Sequence, residues 1–224
     1  MKIVHPKMFV TIDFSVNNCY SLTIENASEF YDKTRELHNQ INNGLEGNFV
    51  MSELNEMDIK KHCLFVYDYY SDILNCKKTA SIVNSTVNEI LKHDDFIEDF
   101  SILNSTMLKL NSKIAEQLDY NITFSEDFTF ENFIKFSNYK INFAENELLN
   151  NLLTLIQIAC QSSSINTIIC VNLMQVVTEE ELNAFVKQIK YMQLNLLLID
   201  SFQKYKLKNV ENIIIDNDLC VIWQ

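Results

Sequence analysis

Glycine is nearly absent from this sequence. The chain of 224 residues contains two glycines, Gly44 and Gly47. Neither lies in a G-x-x-x-x-G-K-S/T or a G-x-G-x-x-G segment, whose backbone N–H groups hold phosphates in many nucleotide enzymes. The sequence therefore offers no recognisable loop for a nucleotide phosphate.

Arginine is just as scarce, because Arg35 is the only one and every other basic residue is a lysine. The 18 basic residues face 30 acidic ones, which gives a net charge of −12. Such a surface repels nucleic acid on average, so DNA binding requires a local basic patch. Arginine reads guanine with a planar fork, whereas lysine is a point charge for phosphate. We therefore expect any DNA binding to ignore base sequence.

Signals for export, membrane insertion and covalent catalysis are missing as well. No basic region precedes an apolar run at the N-terminus, and no apolar stretch approaches the roughly 18 residues of a spanning helix. This pattern predicts a cytoplasmic protein. The six cysteines are scattered without a C-x-x-C pair, which favours buried thiols over a zinc site. No G-x-S-x-G segment supports acyl transfer.

The clearest pattern that is present lies between residues 167 and 200. Apolar runs at 167–173 and 196–199 predict two buried strands. Between them, Thr178 and Glu181 match a capping box that precedes a helical apolar stripe. A helix that connects two strands in this way joins parallel strands. The predicted fold class is therefore α/β, with a mostly parallel sheet that resembles a P-loop-type fold without its phosphate loop.

Apolar periodicity elsewhere predicts a head of residues 1–75 and 140–224 and a helical insert, the leg, of residues 76–139. In the head we expect a pair of strands, a helix from Asn26 to Gly44, four further segments and a terminal hairpin. The paired strands are 8–12 and 20–24, the further segments are strands 49–51, 63–67 and 140–143 and a helix 147–160, and the hairpin strands are 213–215 and 220–223. In the leg we expect two helices that break at Asp94–Asp95 and a third that Thr129 caps.

Four acidic residues of the leg are candidate metal ligands. Asp119, Glu126, Asp127 and Glu131 flank the segment 121–124 and the start of the third leg helix. Calcium accepts six to eight oxygen ligands in flexible geometry, and a loop with an adjacent helix start can supply them. Acidic residues at a helix start also cap it and offset its dipole, so a solvated cap is the alternative interpretation.

Five lysines are candidate DNA contacts. The pairs Lys60–Lys61 and Lys77–Lys78 flank the predicted strand 63–67, and Lys135 lies in the third leg helix. Lysine pairs on a protein surface are usually only solvated, and their functional interpretation is contact with DNA phosphates.

Several segments together resemble one known family, the Csn-two CRISPR-associated proteins of type II-A systems, in its short form. The matching segments, in order, are 1–4, 46–53, 126–135, 169–173, 177–182 and 196–200. The resemblance implies a homotetrameric ring with an α/β head and a helical leg, which calcium supports. It also implies a lysine-lined hole that double-stranded DNA enters from a free end, with neither nucleotide hydrolysis nor nuclease activity.

The predicted function is therefore non-catalytic, sequence-independent binding of double-stranded DNA ends in CRISPR adaptation, the acquisition of new spacers in antiviral defence. The expected partners are the CRISPR integrase complex and the effector nuclease. Two alternatives stay open. One is a degenerate nucleotide hydrolase or metal-dependent nuclease that uses the leg carboxylates. The other is a protein-only adaptor of the adaptation complex.

Overall fold

The computed structural model describes residues 1–8, 10–70, 77–125, 127–142, 147–161 and 164–224, apart from the side chains of Lys77 and Lys78. The chain divides into two compact units. The first unit is Met1–Ile73 with Ala144–Gln224, and the second unit is Leu74–Phe143. Among the described residues, no helix combines the length and the apolar character that crossing a membrane requires.

The first unit contains ten strands and five α-helices among its described residues. The strands are β1 (Lys2–Val4), β2 (Ile12–Asp13), β3 (Cys19–Ile24), β4 (Val50–Ser52), β5 (Glu56–Met57), β6 (Cys63–Val66), β7 (Thr167–Val171), β8 (Asn195–Asp200), β9 (Glu211–Ile215) and β10 (Val221–Trp223). The helices are α1 (Ala27–His38), which a π-helical turn (Asn39–Asn43) continues, α2 (Ile59–His62), α6 (Leu148–Gln161), α7 (Leu173–Val176) and α8 (Glu179–Tyr191).

A six-stranded sheet forms the centre of the first unit. Its strand order is β10-β9-β3-β8-β7-β6. All neighbours in it are parallel except β10, which pairs antiparallel with β9. Every residue of β3, β6 and β7 is buried, as expected for parallel strands that are covered on both faces. The mostly parallel α/β architecture, the crossover and the terminal hairpin are confirmed.

A separate antiparallel sheet corrects the predicted pairing of strands 8–12 and 20–24. This sheet has the order β2-β1-β4-β5, and β3 is not part of it. Apolar and polar residues alternate in β3, a pattern typical of a half-exposed strand, but Ser21 and Thr23 are both 1% exposed. The pairing was therefore wrong because small hydroxyl side chains occupy buried positions of a central strand.

Two other predicted strands are wrong, one of them throughout its described part and the other in its end point. Residues 140–142 form no strand, and none of them is buried as a strand packed in a sheet would be; Phe143 lies outside the described residues. The strand predicted at 167–173 ends at Val171, because Asn172 adopts a left-handed conformation (φ 55°) that asparagine tolerates better than most residues. The chain turns there into α7, whose Leu173 and Met174 are fully buried.

The two faces of the central sheet pack against different elements. One face packs on α1, the π-helical turn and the antiparallel sheet, through side chains such as Leu22, Leu197 and Ile213. α8 packs on β8 and against α6. Its apolar stripe is fully buried, at Leu182, Phe185, Val186 and Ile189. Hydrophobic burial on both faces thus stabilises the central sheet. The loops that follow its strands start from this rigid base.

The predicted capping box begins α8. Thr178 Oγ1 accepts a hydrogen bond from the Glu181 N–H at 3.3 Å, and Glu181 Oε2 accepts one from the Thr178 N–H at 2.8 Å. We expect Thr178→Ala to lower the free energy of unfolding by about 1 kcal/mol, since one N–H of the first turn loses its acceptor. Urea denaturation measures this change. Glu180→Ala, in the same turn but outside the box, is the control, and an equal loss in both variants would contradict the assignment.

The second unit contains α3 (Lys77–Leu91), α4 (Asp94–Glu116) and α5 (Phe130–Ser137). The break between the first two lies at His93, and Asp94 and Asp95 form the first turn of α4. Rings of Phe128, Phe130 and Phe133 surround Phe100 with centroids 4.4 to 6.1 Å away. Aromatic contacts thus join α4 to the start of α5.

Candidate nucleic-acid interface

The predicted lysine pair Lys60–Lys61 lies on α2, a single helical turn. Asp58 caps this turn, because its Oδ1 accepts a hydrogen bond from the Lys60 N–H at 3.1 Å. The same carboxylate forms an ion pair with Lys61, with 3.7 Å between Nζ and Oδ2. One of the two lysines therefore already has an acidic partner.

Lys60 lines an open groove of about 450 Å³ that also contains Glu46, Glu56 and Asp58. Its side chain runs along Gly44, where an added Cβ would lie 2.7 Å from the lysine Nζ. Three carboxylates thus accompany the two lysines of this pair. The region has no excess of positive charge, which makes it a weak phosphate-binding surface.

The other predicted lysines lie in the second unit. Lys77 and Lys78 begin α3, but their side chains are outside the described part of the chain. Lys135 is exposed in the last turn of α5. Within the first unit, the structure therefore describes the predicted lysines Lys60 and Lys61 as neighbours on one helical turn.

The predicted metal ligands are described in part. Asp119, Asp127 and Glu131 are exposed, and Glu126 lies outside the described residues. Thr129 Oγ1 accepts a hydrogen bond from the Asn132 N–H at 3.2 Å, so the predicted cap of α5 is confirmed. Among the described residues, no three histidine, cysteine or acidic side chains are close enough together to hold a metal ion.

Asp127 lines a pocket of about 190 Å³ within the second unit. The other polar residues of its lining are Asn104, Asn111, Ser125 and Asn132. Asn104 Oδ1 accepts a hydrogen bond from the Phe128 N–H at 3.4 Å, which ties the segment before α5 to α4. Amide, hydroxyl and carboxylate oxygens are the ligands that calcium accepts.

The strongest basic region of the first unit is one that sequence reasoning missed. Residues 182–210 contain five lysines and a single acidic residue, Asp200. Because Asp200 is fully buried, all the exposed charge of this region is positive. The lysines are Lys187, Lys190, Lys204, Lys206 and Lys208. We call residues 201–210, which connect β8 to β9, the lysine loop.

The three lysines of the lysine loop alternate with less exposed residues. Lys204, Lys206 and Lys208 are exposed, whereas Tyr205 is half-buried and Leu207 is buried. This alternation is typical of extended backbone, in which residues two apart point the same way at a spacing of about 6.6 Å. A row of exposed cations at that spacing can follow a phosphate backbone.

Contacts with α7 fix the first half of the lysine loop. Asn172 Oδ1 accepts hydrogen bonds from the N–H and the hydroxyl of Ser201, at 3.1 and 3.3 Å. Gln175 Nε2 donates to the carbonyl of Phe202 at 2.8 Å. The Met174 sulfur accepts from the Lys204 N–H at 3.3 Å. The loop therefore has a defined conformation although it contains no helix or strand.

Contacts with α8 and β9 fix the second half. Lys190 Nζ donates to the carbonyl of Asn209, so the end of α8 holds the end of the loop. Asn212 Nδ2 donates to the carbonyls of Leu207 and Val210, at 3.0 and 2.9 Å. Lys187 precedes Lys190 by about one helical turn. The five lysines therefore belong to one surface, built from α8 and the loop beside it.

Exposed aromatic rings flank this lysine surface. Phe202 is 63% exposed and Tyr191 is 87% exposed. Lys204 Nζ lies 5.0 Å from the centroid of the Tyr205 ring. Exposed rings beside lysines provide stacking partners for unpaired bases, as in many proteins that bind single strands.

The sequence did carry a signal for this surface. No acidic residue occurs in 182–199 or in 201–210, although acids outnumber bases in the whole chain. Lys204, Lys206 and Lys208 form no adjacent pair, because they alternate with other residues. The long acid-free stretch is the sequence feature that marks them.

A buried carboxyl group lies directly beneath the start of the loop. Asp200 ends β8, and burial raises the pKa of its carboxyl from 3.8 to about 7, against the smaller lowering effects of the Met174 N–H and the Gln175 amide. Neither amide completes a hydrogen bond to it, because both carboxyl oxygens have no partner among the described residues. At neutral pH this group titrates between its neutral and charged forms.

Comparison with protein families gives a match over most of the chain. A family model described as CRISPR-associated protein (Cas_Csn2) matches residues 23–219, which is most of the chain. No curated protein matches the chain. The matched range runs from the end of β3 past β9 and includes the whole second unit and the lysine loop.

Proposed function

The chain belongs to the Cas_Csn2 family of CRISPR-associated proteins, and from that premise we propose that it binds double-stranded DNA in CRISPR adaptation without catalysing a reaction. The observation that carries this proposal is the lysine surface of 187–208. It concentrates five lysines, with no exposed acid between them, in a chain whose net charge is −12. Local positive charge of this kind supplies the sequence-independent part of DNA affinity.

The residue types favour phosphate contact over base reading. The single arginine, Arg35, forms an ion pair with Asp32 (3.4 Å) and lies over the Tyr31 ring, at 5.1 Å from its centroid. It is therefore occupied within its own helix. Lysines supply charge without the bidentate geometry that recognises guanine. We therefore propose binding that is independent of base sequence, centred on the lysine surface, with Lys60, Lys61, Lys77, Lys78 and Lys135 as further candidate contacts.

The proposed assembly is a homotetrameric ring that DNA enters from a free end. The charge balance supports a ring, because one chain with a net charge of −12 repels DNA at long range. Four copies of one lysine surface that face inward would combine their positive charge, with the acidic residues outside. We propose calcium as the metal that supports the ring, with Asp119, Glu126, Asp127 and Glu131 as its candidate ligands.

The absence of catalysis is part of the proposal. In nucleotide hydrolases of the P-loop type, a glycine-rich loop between a strand and a helix cradles the phosphates. Here β3 connects to α1 through only Glu25 and Asn26, and the Asn26 side chain already accepts hydrogen bonds from the Ser28 and Glu29 N–H groups. This short connection supports a P-loop-like head that holds no nucleotide. The proposed location is the cytoplasm, and the proposed partners are the integrase complex and the effector nuclease.

Fluorescence anisotropy with short labelled duplexes of two unrelated sequences tests this function. We expect equal affinity for both sequences, weaker binding at higher salt, and neither DNA cleavage nor ATP turnover with magnesium or manganese. Cleavage or turnover that Glu131→Gln abolishes would favour the enzyme instead. No binding even at low salt would favour a protein-only adaptor.

A further inference from the structure

Asp200, at the end of β8, has a buried carboxyl group. Its side chain is 0% exposed, and its two oxygens are the fully buried side-chain polar atoms that lack a hydrogen-bond partner within the described residues. A buried carboxylate without donors is strongly destabilised, so the group holds its proton well above the pH at which an exposed aspartate loses it. The described conformation around Asp200 is therefore the one expected when its carboxyl group is protonated and neutral.

The titratable groups described below as neighbours of Asp200 stay neutral near pH 7, whereas Asp200 itself changes charge there. Among the described residues, Tyr69, which follows β6, and Cys170 on β7 are titratable side chains whose pKa values the Asp200 charge affects. Burial raises the pKa of the Cys170 thiol to about 12 and raises the pKa of the Tyr69 hydroxyl as well. Both therefore stay neutral. From α7, the facing groups are the Met174 N–H and the Gln175 amide, neither of which titrates.

These two α7 residues also hold the lysine loop. Gln175 Nε2 donates to Phe202 O, and the Met174 sulfur accepts from the N–H groups of Lys204 and Tyr205. An ionised Asp200 attracts the same amides, since hydrogen bonds to a carboxylate are about twice as strong as neutral ones. Forming these bonds requires α7 to shift, because neither carboxyl oxygen has a hydrogen-bond partner in the described structure.

We propose that Asp200 is a proton-linked switch of the lysine loop. The protonated carboxyl leaves α7 free to hold the loop in its DNA-binding conformation. The ionised carboxylate draws the α7 amides inward, shifts residues 201–205 and adds a negative charge beneath the lysines. Both effects weaken binding to phosphates. This inference rests on the proposed function in one respect only, namely that the loop binds DNA.

Reciprocity gives the switch a second consequence. If proton binding at Asp200 strengthens DNA binding, then DNA must strengthen proton binding at Asp200 to the same degree. Coupling between two sites in one protein is typically about fivefold or more. The pKa of Asp200 should therefore rise when DNA is bound.

The test combines a DNA titration with a measurement that needs no DNA. Anisotropy across the pH range around neutrality should show wild-type affinity falling about fivefold or more as pH rises. Asp200→Asn mimics the protonated form. Its DNA affinity should therefore lack the fall with rising pH that Asp200 causes in wild type. Asp218→Asn, at an exposed position, is the matched control. Histidine titration affects all three proteins alike, so the difference between them isolates Asp200.

Backbone amide NMR of the full chain without DNA supplies the second measurement. The signals of residues 201–205 should titrate together with the Asp200 carboxyl carbon and should stay constant in Asp200→Asn. If the loop signals titrate but the protein binds no DNA, the proposed function is refuted while the proton-linked switch of the loop is supported. DNA binding with the same pH dependence in wild type and Asp200→Asn, or loop signals that do not follow the carboxyl, would overturn the switch.

Discussion

Replacing Lys204, Lys206 and Lys208 together with glutamine is expected to weaken DNA binding by roughly a hundredfold at about 0.1 M salt. Each lysine that binds a phosphate releases a counterion, so the slope of log affinity against log salt should fall by about 0.9 for each phosphate that the variant no longer neutralises. The three side chains are exposed, so their replacement should leave the fold intact. Anisotropy titrations of one duplex at several salt concentrations measure both quantities.

The matched control removes the same charge elsewhere. Lys2, Arg35 and Lys92 each form an ion pair with an acid, at 3.1, 3.4 and 2.7 Å. Replacing these three with glutamine lowers the net charge equally but removes no unpaired cation. We expect the control to retain most of its affinity and its salt slope. Equal losses in the two triple variants would mean that net charge, and not the lysine surface, determines DNA binding.

Asp200→Asn is expected to stabilise the protein by about 4 kcal/mol above neutral pH, since each pKa unit corresponds to about 1.4 kcal/mol. The pKa of Asp200 rises from 3.8 to about 7 on folding because the carboxyl is buried. Below pH 4 the group is protonated in both states, so the variant gains little. Between pH 4 and 7 the unfolded chain gains stability by ionising while the folded protein does not. The advantage of the variant should therefore grow through this range and level off above it.

Urea denaturation of wild type, Asp200→Asn and Asp218→Asn at a series of pH values measures this dependence. Asp218 is exposed, so replacing it removes no buried charge. The free energy of unfolding of Asp218→Asn should therefore match that of wild type at every pH. A constant difference between Asp200→Asn and wild type at all pH values would mean that the substitution changes packing only. A destabilised variant at high pH would show that the folded protein satisfies the carboxylate.

The sequence predicted the parts of the fold whose burial follows a simple pattern. The runs 167–171 and 196–199 are apolar because both faces of β7 and β8 are covered, and the stripe of α8 marks the helix between them. The ordered segments that resemble the Csn-two family are confirmed as a family relationship by the match over 23–219. Strong local signals were therefore sufficient for the class of the fold and for the family.

The antiparallel sheet was beyond this reasoning. Its strands β1, β2, β4 and β5 have two or three residues each, which is too short for any periodicity to appear. β3 was assigned to the wrong partner because Ser21 and Thr23 resemble an exposed face. Which sheet a strand joins depends on the residues that cover it, and these come from distant parts of the chain.

The candidate site shows the same limit. Three lysines that alternate along a loop belong to no helix or strand whose periodicity would mark them in the sequence. Their position beside α8 depends on the hydrogen bonds that Lys190 and Asn212 donate to the loop. An aspartate at the end of a strand reads as an exposed polar residue. That Asp200 is instead buried beneath α7 is a property of tertiary packing.

The measurement that tests the central proposal most directly compares two forms of one plasmid, covalently closed and linearised, in gel-shift titrations with calcium and with chelator. A ring that DNA must enter from an end binds the linear form alone, and loses it when a metal that supports the ring is removed. That is the result we predict. Equal binding to both forms would contradict it, because an open surface groove needs no free end.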